Sequence, residues 1–227
     1  MIISTYHEYV LEGSFSLRIG LTNITKSYNI SDEIEKETLV NIANLNCRYS
    51  FLMFANALEA AANALLMHST QDKSLYFDLE KQKTLLKFRI FCKLHGKELN
   101  ISDQRYNNIK ELIQVRNEFV HPKPKDVEFV DEKDLLNLEL NTKKTKSKTY
   151  PLYFGEINEQ HAIEALKDIL DFIAWVCFDI CELPIGDGAL ILGLGTVCGN
   201  NDIEHISRMV NTEFDYRTFS YQGKHSC

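Results

Sequence analysis

From Ser14 to Thr22 apolar and polar residues alternate: Phe15, Leu17, Ile19 and Leu21 against Ser16, Arg18, Gly20 and Thr22. A period of two belongs to a half-buried strand, and the Glu12-Gly13 pair ahead of it predicts a hairpin with residues 2–10. The period changes after Ser31. The run SDEIEKETLVNIANLNCRYSFLMFANALEAAANALLMH opens with Ser31, Asp32 and Glu33, an N-cap followed by acids in the first turn. Its second half, Met53 to Met67, is rich in Ala and Leu and apolar nearly all round, the pattern of a central, buried helix.

A second helix is predicted from about Ser74 to His95, stopped by Gly96, with Leu75, Leu79, Leu85, Leu86, Ile90 and Leu94 on its apolar side. A third starts at Ser102-Asp103 and ends at His121-Pro122, because proline disfavours helical geometry in the residue before it. Helical period is lost over 122–156, where VEFV (127–130), LNLEL (136–140) and TYPLYF (149–154) read as short strands. A fourth helix, Glu159 to Glu182, closes the core and stops at Pro184, and FDYRTFSY (214–221) alternates again. The expectation is a mainly α protein in three parts. Residues 1–30 form an N-terminal β-hairpin extension, 31–183 a helical bundle carrying a β insertion at 122–156, and 184–227 a C-terminal extension with further strand.

Composition narrows the functions. The 227 residues are 44% apolar, enough for one sizeable core, and 10 Gly with 4 Pro exclude collagen-like or linker-rich chains. A formal charge of −7 excludes a protein coated uniformly in nucleic acid and leaves room for one basic face. Residues 71–125 hold 12 Lys or Arg and 7 Asp or Glu, and 142–150 adds four Lys with no acid; 151–227 holds 4 basic and 12 acidic residues. Helices two and three and the lysine loop are therefore the candidate anion-facing part, with a merely solvated face as the competing reading.

The six cysteines form no Cys-x-x-Cys pair, and Cys177 and Cys181 share one helix face in an apolar run. No second Cys/His pair follows at zinc-ligand spacing, which favours buried thiols over a metal pair. No metal and no cofactor are expected. MIISTYHEYVLEG lacks the basic and apolar regions of a secretory leader, and no run approaches about 20 uninterrupted apolar residues. A cytoplasmic protein without a membrane span is the expectation.

The third helix carries the candidate chemistry in ELIQVRNEFVHPK, residues 111–123. Ile109, Leu112, Ile113, Phe119 and Val120 fall on one side at about 100° per residue, and Arg116 lies within about 20° of that seam. Asn117 and His121 are spaced i and i+4 on a neighbouring strip. One helix end thus offers a permanent cation, an amide and an imidazole. An imidazole can take the proton from a ribose 2′-hydroxyl or return one to the leaving oxygen. A guanidinium can hold phosphate oxygens in a fork and stabilise charge developing at phosphorus. DNA lacks the 2′-hydroxyl, so such chemistry is specific to RNA.

RNEFVHP (116–122) resembles the Arg-Asn-x-x-x-His signature of the HEPN superfamily (higher eukaryotes and prokaryotes nucleotide-binding). FANALEAAANALL (54–66), followed by LKFRIFCKLHG (86–96), resembles the first half of such a bundle, and the resemblance covers about residues 31–182. It implies a four- or five-helix up-and-down bundle that dimerises with the motifs of both subunits facing a shared cleft. It also implies, for many members, metal-independent endoribonuclease activity in toxin, abortive-infection or other defence systems; other members only bind nucleotides or partners. By the motif, Arg116 and His121 carry over as the catalytic pair and Asn117 as an assisting polar residue. The implied partners are a second copy of the chain, RNA as substrate, and an antitoxin or regulatory protein. The N-terminal hairpin, the 122–156 insertion and the tail depart from small family members.

Several residues carry two readings. Glu59 either supports Arg116 or His121 from a neighbouring helix or forms, with Asn63, a polar bridge that sets helix register. Arg89, Lys93 and Lys97 are a phosphate-tracking stripe or a solvated face, and Lys143, Lys144, Lys146 and Lys148 are the candidate RNA contacts of the loop. Tyr106 stacks a base or packs at the core's rim. GLGTVCG (193–199) lacks the third glycine and the following helix of a dinucleotide loop. Outside the family, Arg116 and His121 would be ordinary salt-bridge residues of a helical interaction protein.

Overall fold

A computed structural model of the chain describes residues 5–70, 72–121, 149–151, 154–192, 201–215 and 217. Among these residues there are helices and no strand. They are α1 (Tyr6–Ser27), α2 (Glu33–Ser69), α3 (Lys73–Leu79), α4 (Thr84–Leu94), α5 (Gln104–Val120), α6 (Glu159–Ala174), α7 (Ile185–Ile191) and α8 (Asn201–Val210). A 3-10 turn spans Phe154–Glu156, and a π turn, Trp175–Ile180, extends α6.

The expected N-terminal hairpin is a helix. Tyr6, Val10, Gly13, Ser14, Leu17, Gly20 and Leu21 are buried, a seam of period 3.6 that glycine and serine hide from a hydrophobicity reading. Phe15, the first apolar residue of the alternating stretch, is half exposed. Small residues are needed because α1 lies close against α2. A Cβ on Gly13 would stand 2.5 Å from the Phe54 ring, and one on Gly20 3.0 Å from Cys47 Sγ. The α1 helix therefore belongs to the bundle, packing along α2 and touching α6 and α8, the last through Arg18 to Asp202 at 2.7 Å.

As expected, α2 starts from its acidic cap. Asp32 accepts from the Glu35 amide at 2.9 Å, and the 37 residues run about 55 Å. Its Ala-rich half is the centre of the fold, with Phe54, Ala57, Leu58, Ala61, Ala62, Leu65 and Leu66 out of contact with solvent. By length and composition an 18-residue stretch of α2 is apolar enough to cross a bilayer, and more than half of it is buried in the bundle. Packing against α1, α4 and α6 accounts for that apolar character.

The second predicted helix is two. Between Leu79 and Leu85 the chain reads Glu80-Lys81-Gln82-Lys83-Thr84 with nothing apolar to bury, and the helix breaks there. At the other end of α4, Gly96 takes φ +70°, the left-handed stop expected of it. The third helix begins at its Asp103 cap, which accepts from the Arg105 amide at 2.9 Å. The fourth runs from Asn158, whose side chain caps α6, through the π turn to Glu182 at φ 54°.

The remaining β expectations fail where they can be seen. Residues 149–151 form no strand; Tyr150 turns into the core, edge-on to Phe51 at 5.3 Å. Its hydroxyl donates to Asp168 Oδ2 at 2.6 Å, while Asn108 donates to Asp168 Oδ1 at 2.9 Å. These bonds tie the returning chain to α5 and α6, and burial raises the carboxyl pKa of Asp168. In the tail, Phe214 is buried and Arg217 pairs with Asp179 and Asp215, and the described residues 214, 215 and 217 lie in no strand. VEFV, LNLEL and the rest of FDYRTFSY lie outside the described residues, as does GLGTVCG.

Candidate functional site

The first three turns of α5 are held firmly. Ile109, Leu112 and Val115 are buried against the bundle, and the Arg105 guanidinium lies 4.1 Å over the Trp175 ring. Glu111 accepts from the Thr149 amide at 2.9 Å. Past Val115 the helix opens to solvent: Asn117, Phe119, Val120 and His121 are all exposed, and Arg116 is half-buried at the boundary. Rigid support followed by an open last turn is what places the motif on a surface that a ligand can reach.

Among the described residues Arg116 has two partners, and neither is an acid. Nη1 donates to Asn117 Oδ1 at 3.0 Å, and Nη2 donates to Asn56 Oδ1 of α2 at 3.4 Å. No carboxylate among the described residues pairs with it. Two amide oxygens orient the guanidinium, and both are neutral acceptors. The salt-bridge reading of Arg116 and His121 thus finds no acid among the described residues. Asn56 is the residue that the motif did not reveal. It sits in the Ala-rich run, and only the packing of α2 against α5 brings it to Arg116.

His121 caps α5. Its amide donates to Asn117 O at 2.9 Å, and its φ of −128° lies about 65° from the helical value, so the imidazole leaves the regular helical track. Its ring makes no hydrogen bond to a described residue. Beside it, Phe119 stacks on Phe154 with ring centroids 3.9 Å apart and planes inclined by 32°. Phe154 continues inward to Phe51 at 6.4 Å. Arg48 of α2 donates to the carbonyl of Gly155 and so fastens this turn.

Glu59 is engaged elsewhere. Its carboxylate accepts from Thr84 and from Lys87 of α4, and the Lys87 ammonium also donates to Asn63 at 2.8 Å. Lys87 is buried, and Glu59 with Asn63 completes its partners, so the polar bridge between α2 and α4 is what the structure contains. Nothing links Glu59 to Arg116 or His121. Arg89 is exposed, Lys93 is paired with Glu98, and Lys97 meets Glu182 at 2.7 Å, which neutralises much of the expected stripe. Tyr106 packs against the core. Lys143, Lys144, Lys146 and Lys148 lie outside the described residues.

Cys177 and Cys181 are buried thiols, Cys181 lying 3.8 Å from Cys92, and burial pushes the Cys47 thiol up to about 12. No group of three or more His, Cys, Asp or Glu side chains that could hold a metal ion occurs among the described residues. A separate groove of about 500 Å³ runs between α1 and α2, lined by Phe15, Ile19, Leu45 and Tyr49 with Glu12 at its edge. It contains none of the motif residues. No family model matches the chain, and no curated protein and no solved structure matches it either.

Proposed function

We propose that the chain is a HEPN-type endoribonuclease that acts without a metal and has its site at the exposed end of α5. The observation that carries this reading is the Arg116 guanidinium, half-buried, aimed by two neutral amides and paired with no described carboxylate. A cation fixed in this way suits the non-bridging oxygens of a phosphodiester. His121, five residues on and exposed, is the base that takes the 2′-hydroxyl proton. The 2′-oxygen then bonds to phosphorus, the bond to the 5′-oxygen breaks, and that oxygen takes up the proton given back by the His121 imidazolium. The products are a 2′,3′-cyclic phosphate and a free 5′-hydroxyl. Asn117 holds Arg116 in place, and its amide donors, which bond to no described residue, are offered to the phosphate or the ribose. A role as a toxin or phage-defence effector is the biological setting that the motif suggests.

Incubating the protein with labelled RNA in EDTA tests the proposal. Cleavage is expected, with loss on the order of 10²–10³-fold in Arg116→Ala and at least 10²-fold in His121→Ala. Both variants should melt like the parent, since neither side chain fills the core. Cleavage that persists in either variant removes the catalytic assignment. RNA bound but not cut by the parent protein points instead to a non-catalytic nucleotide-binding module of the same type.

A further inference from the structure

The open end of α5 carries a large apolar ring beside the Arg116 guanidinium, which pairs with no described carboxylate. Phe119 follows Arg116 by three residues, so the two side chains are neighbours on one face of the helix. One side of the Phe119 ring is backed by Phe154, yet 46% of the residue remains exposed. The backing is itself anchored. Phe154 leans on the buried Phe51, and Arg48 grips the carbonyl of Gly155 next to it. Arg48 and Asn56 both belong to α2, so a single rigid helix supports the ring stack through one residue and aims the guanidinium through the other.

We infer that Phe119 is a stacking platform for one unstacked nucleobase, and that the site takes a nucleotide of single-stranded RNA whose adjacent phosphate lies on Arg116. The inference rests on the reading of Arg116 as a phosphate ligand and adds the class of substrate. A base in a duplex has both faces covered by its neighbours, whereas a single strand or loop offers a free π-face. An aromatic ring takes any of the four bases by stacking, so the platform confers a preference for strandedness more than for sequence. A phosphate and its own base lie apart by roughly the distance between neighbouring side chains on a helix face, so one nucleotide can engage both residues. Phe154 behind the ring fixes its plane in advance, which limits the ordering needed when a base arrives.

Binding is measured by fluorescence anisotropy with a labelled single-stranded 2′-O-methyl oligonucleotide, which cannot be cut by 2′-hydroxyl attack. A second oligomer has the same backbone with abasic sites. Phe119→Leu keeps an apolar side chain but removes the stack, and it is expected to weaken binding of the base-bearing oligomer about tenfold or more. The abasic oligomer should bind the variant and the parent equally, Phe119→Trp should restore binding, and Arg116→Ala should weaken both oligomers. A Phe119→Leu variant that binds the base-bearing oligomer as tightly as the parent overturns the inference. So does a parent protein that binds neither oligomer at low salt. Cleavage of unmodified RNA is scored separately: binding that depends on Phe119 without cleavage leaves the platform standing and sinks the ribonuclease reading. Cleavage that does not respond to Phe119 does the reverse.

Discussion

The imidazole of His161 completes the cap of α6 only while its Nδ1 is an acceptor. It accepts a hydrogen bond from the Asn158 amide at 3.3 Å, while Asn158 Oδ1 accepts from the His161 amide at 3.2 Å. Burial lowers the His161 pKa from its ordinary 6.5, against weaker opposing effects of Glu159 and Glu156. The unfolded chain therefore binds a proton more readily than the folded one. Stability from this group is fully present above about pH 6.5 and falls as the pH drops through the lower folded value. His7, also lowered by burial, acts in the same sense. Asp168 and Asp171, raised by burial, act in the opposite one, as their contribution is lost when the pH rises through their folded values. Comparison with His161→Gln isolates the histidine, because glutamine at this position keeps the reciprocal bond without titrating. Between pH 7.5 and 5 the parent should lose more of its melting temperature than the variant. Equal losses would remove the cap from the pH response.

Whole elements are placed by close approach as much as by burial of large side chains. In α1 the surface that approaches α2 includes Gly13, Ser16 and Gly20, and Ser16 Oγ donates to Asn46 Oδ1 of α2 at 2.9 Å. Gly13→Ala makes the point measurable. Alanine raises intrinsic helix propensity by about 1 kcal/mol, and at an open helical site it would stabilise. Here the added methyl stands 2.5 Å from a fully buried phenyl ring, and overpacking of that kind costs about 1–3 kcal/mol. The expected net result is a melting temperature lower by a few degrees, read by circular dichroism. A rise would show that α1 does not depend on this approach. The α2–α4 pair works through the opposite means, a buried ammonium whose ligands Glu59 and Asn63 lie one turn apart on α2 and fix the register of α4.

At the scale of the molecule, α6 is buried along most of its length, whereas the last turn of α5 is exposed and can meet a second copy. A homodimer is the proposal that follows, with the α5 ends near its axis. Arg116 and His121 are about 140° apart on a regular helix, and departure of His121 from that track or pairing across an axis are the two ways to meet at one phosphate. Mixing inactive Arg116→Ala and His121→Ala proteins under exchange distinguishes the arrangements. If each phosphate uses one residue from each chain, random pairing returns about a quarter of the parent activity. If all four side chains act together at the axis, mixing returns almost nothing. The second result is expected, and recovery to a quarter would overturn it.

Residue order alone determined the long central helix, helix starts at Ser31–Glu33 and at Ser102-Asp103, the Gly96 stop and the mainly α character, because start signals, helix propensity and apolar period are local properties; which residue caps each start came from the structure. It also marked Arg116, Asn117 and His121 at one helix end, since spacing along a helix is arithmetic. Local pattern misled wherever a partner helix decided the outcome. Ser14 to Thr22 alternates like a strand, yet its glycines and serines are the residues that α2 needs at its surface. TYPLYF reads as β, yet Tyr150 leaves the pattern to meet Asp168 from α6. Glu59 and Asn56 lie three residues apart in one apolar run, and nothing in that run tells which faces α4 and which faces α5. That assignment depends on how α4 and α5 pack around α2, a rotation and offset between helices that no local sequence signal encodes.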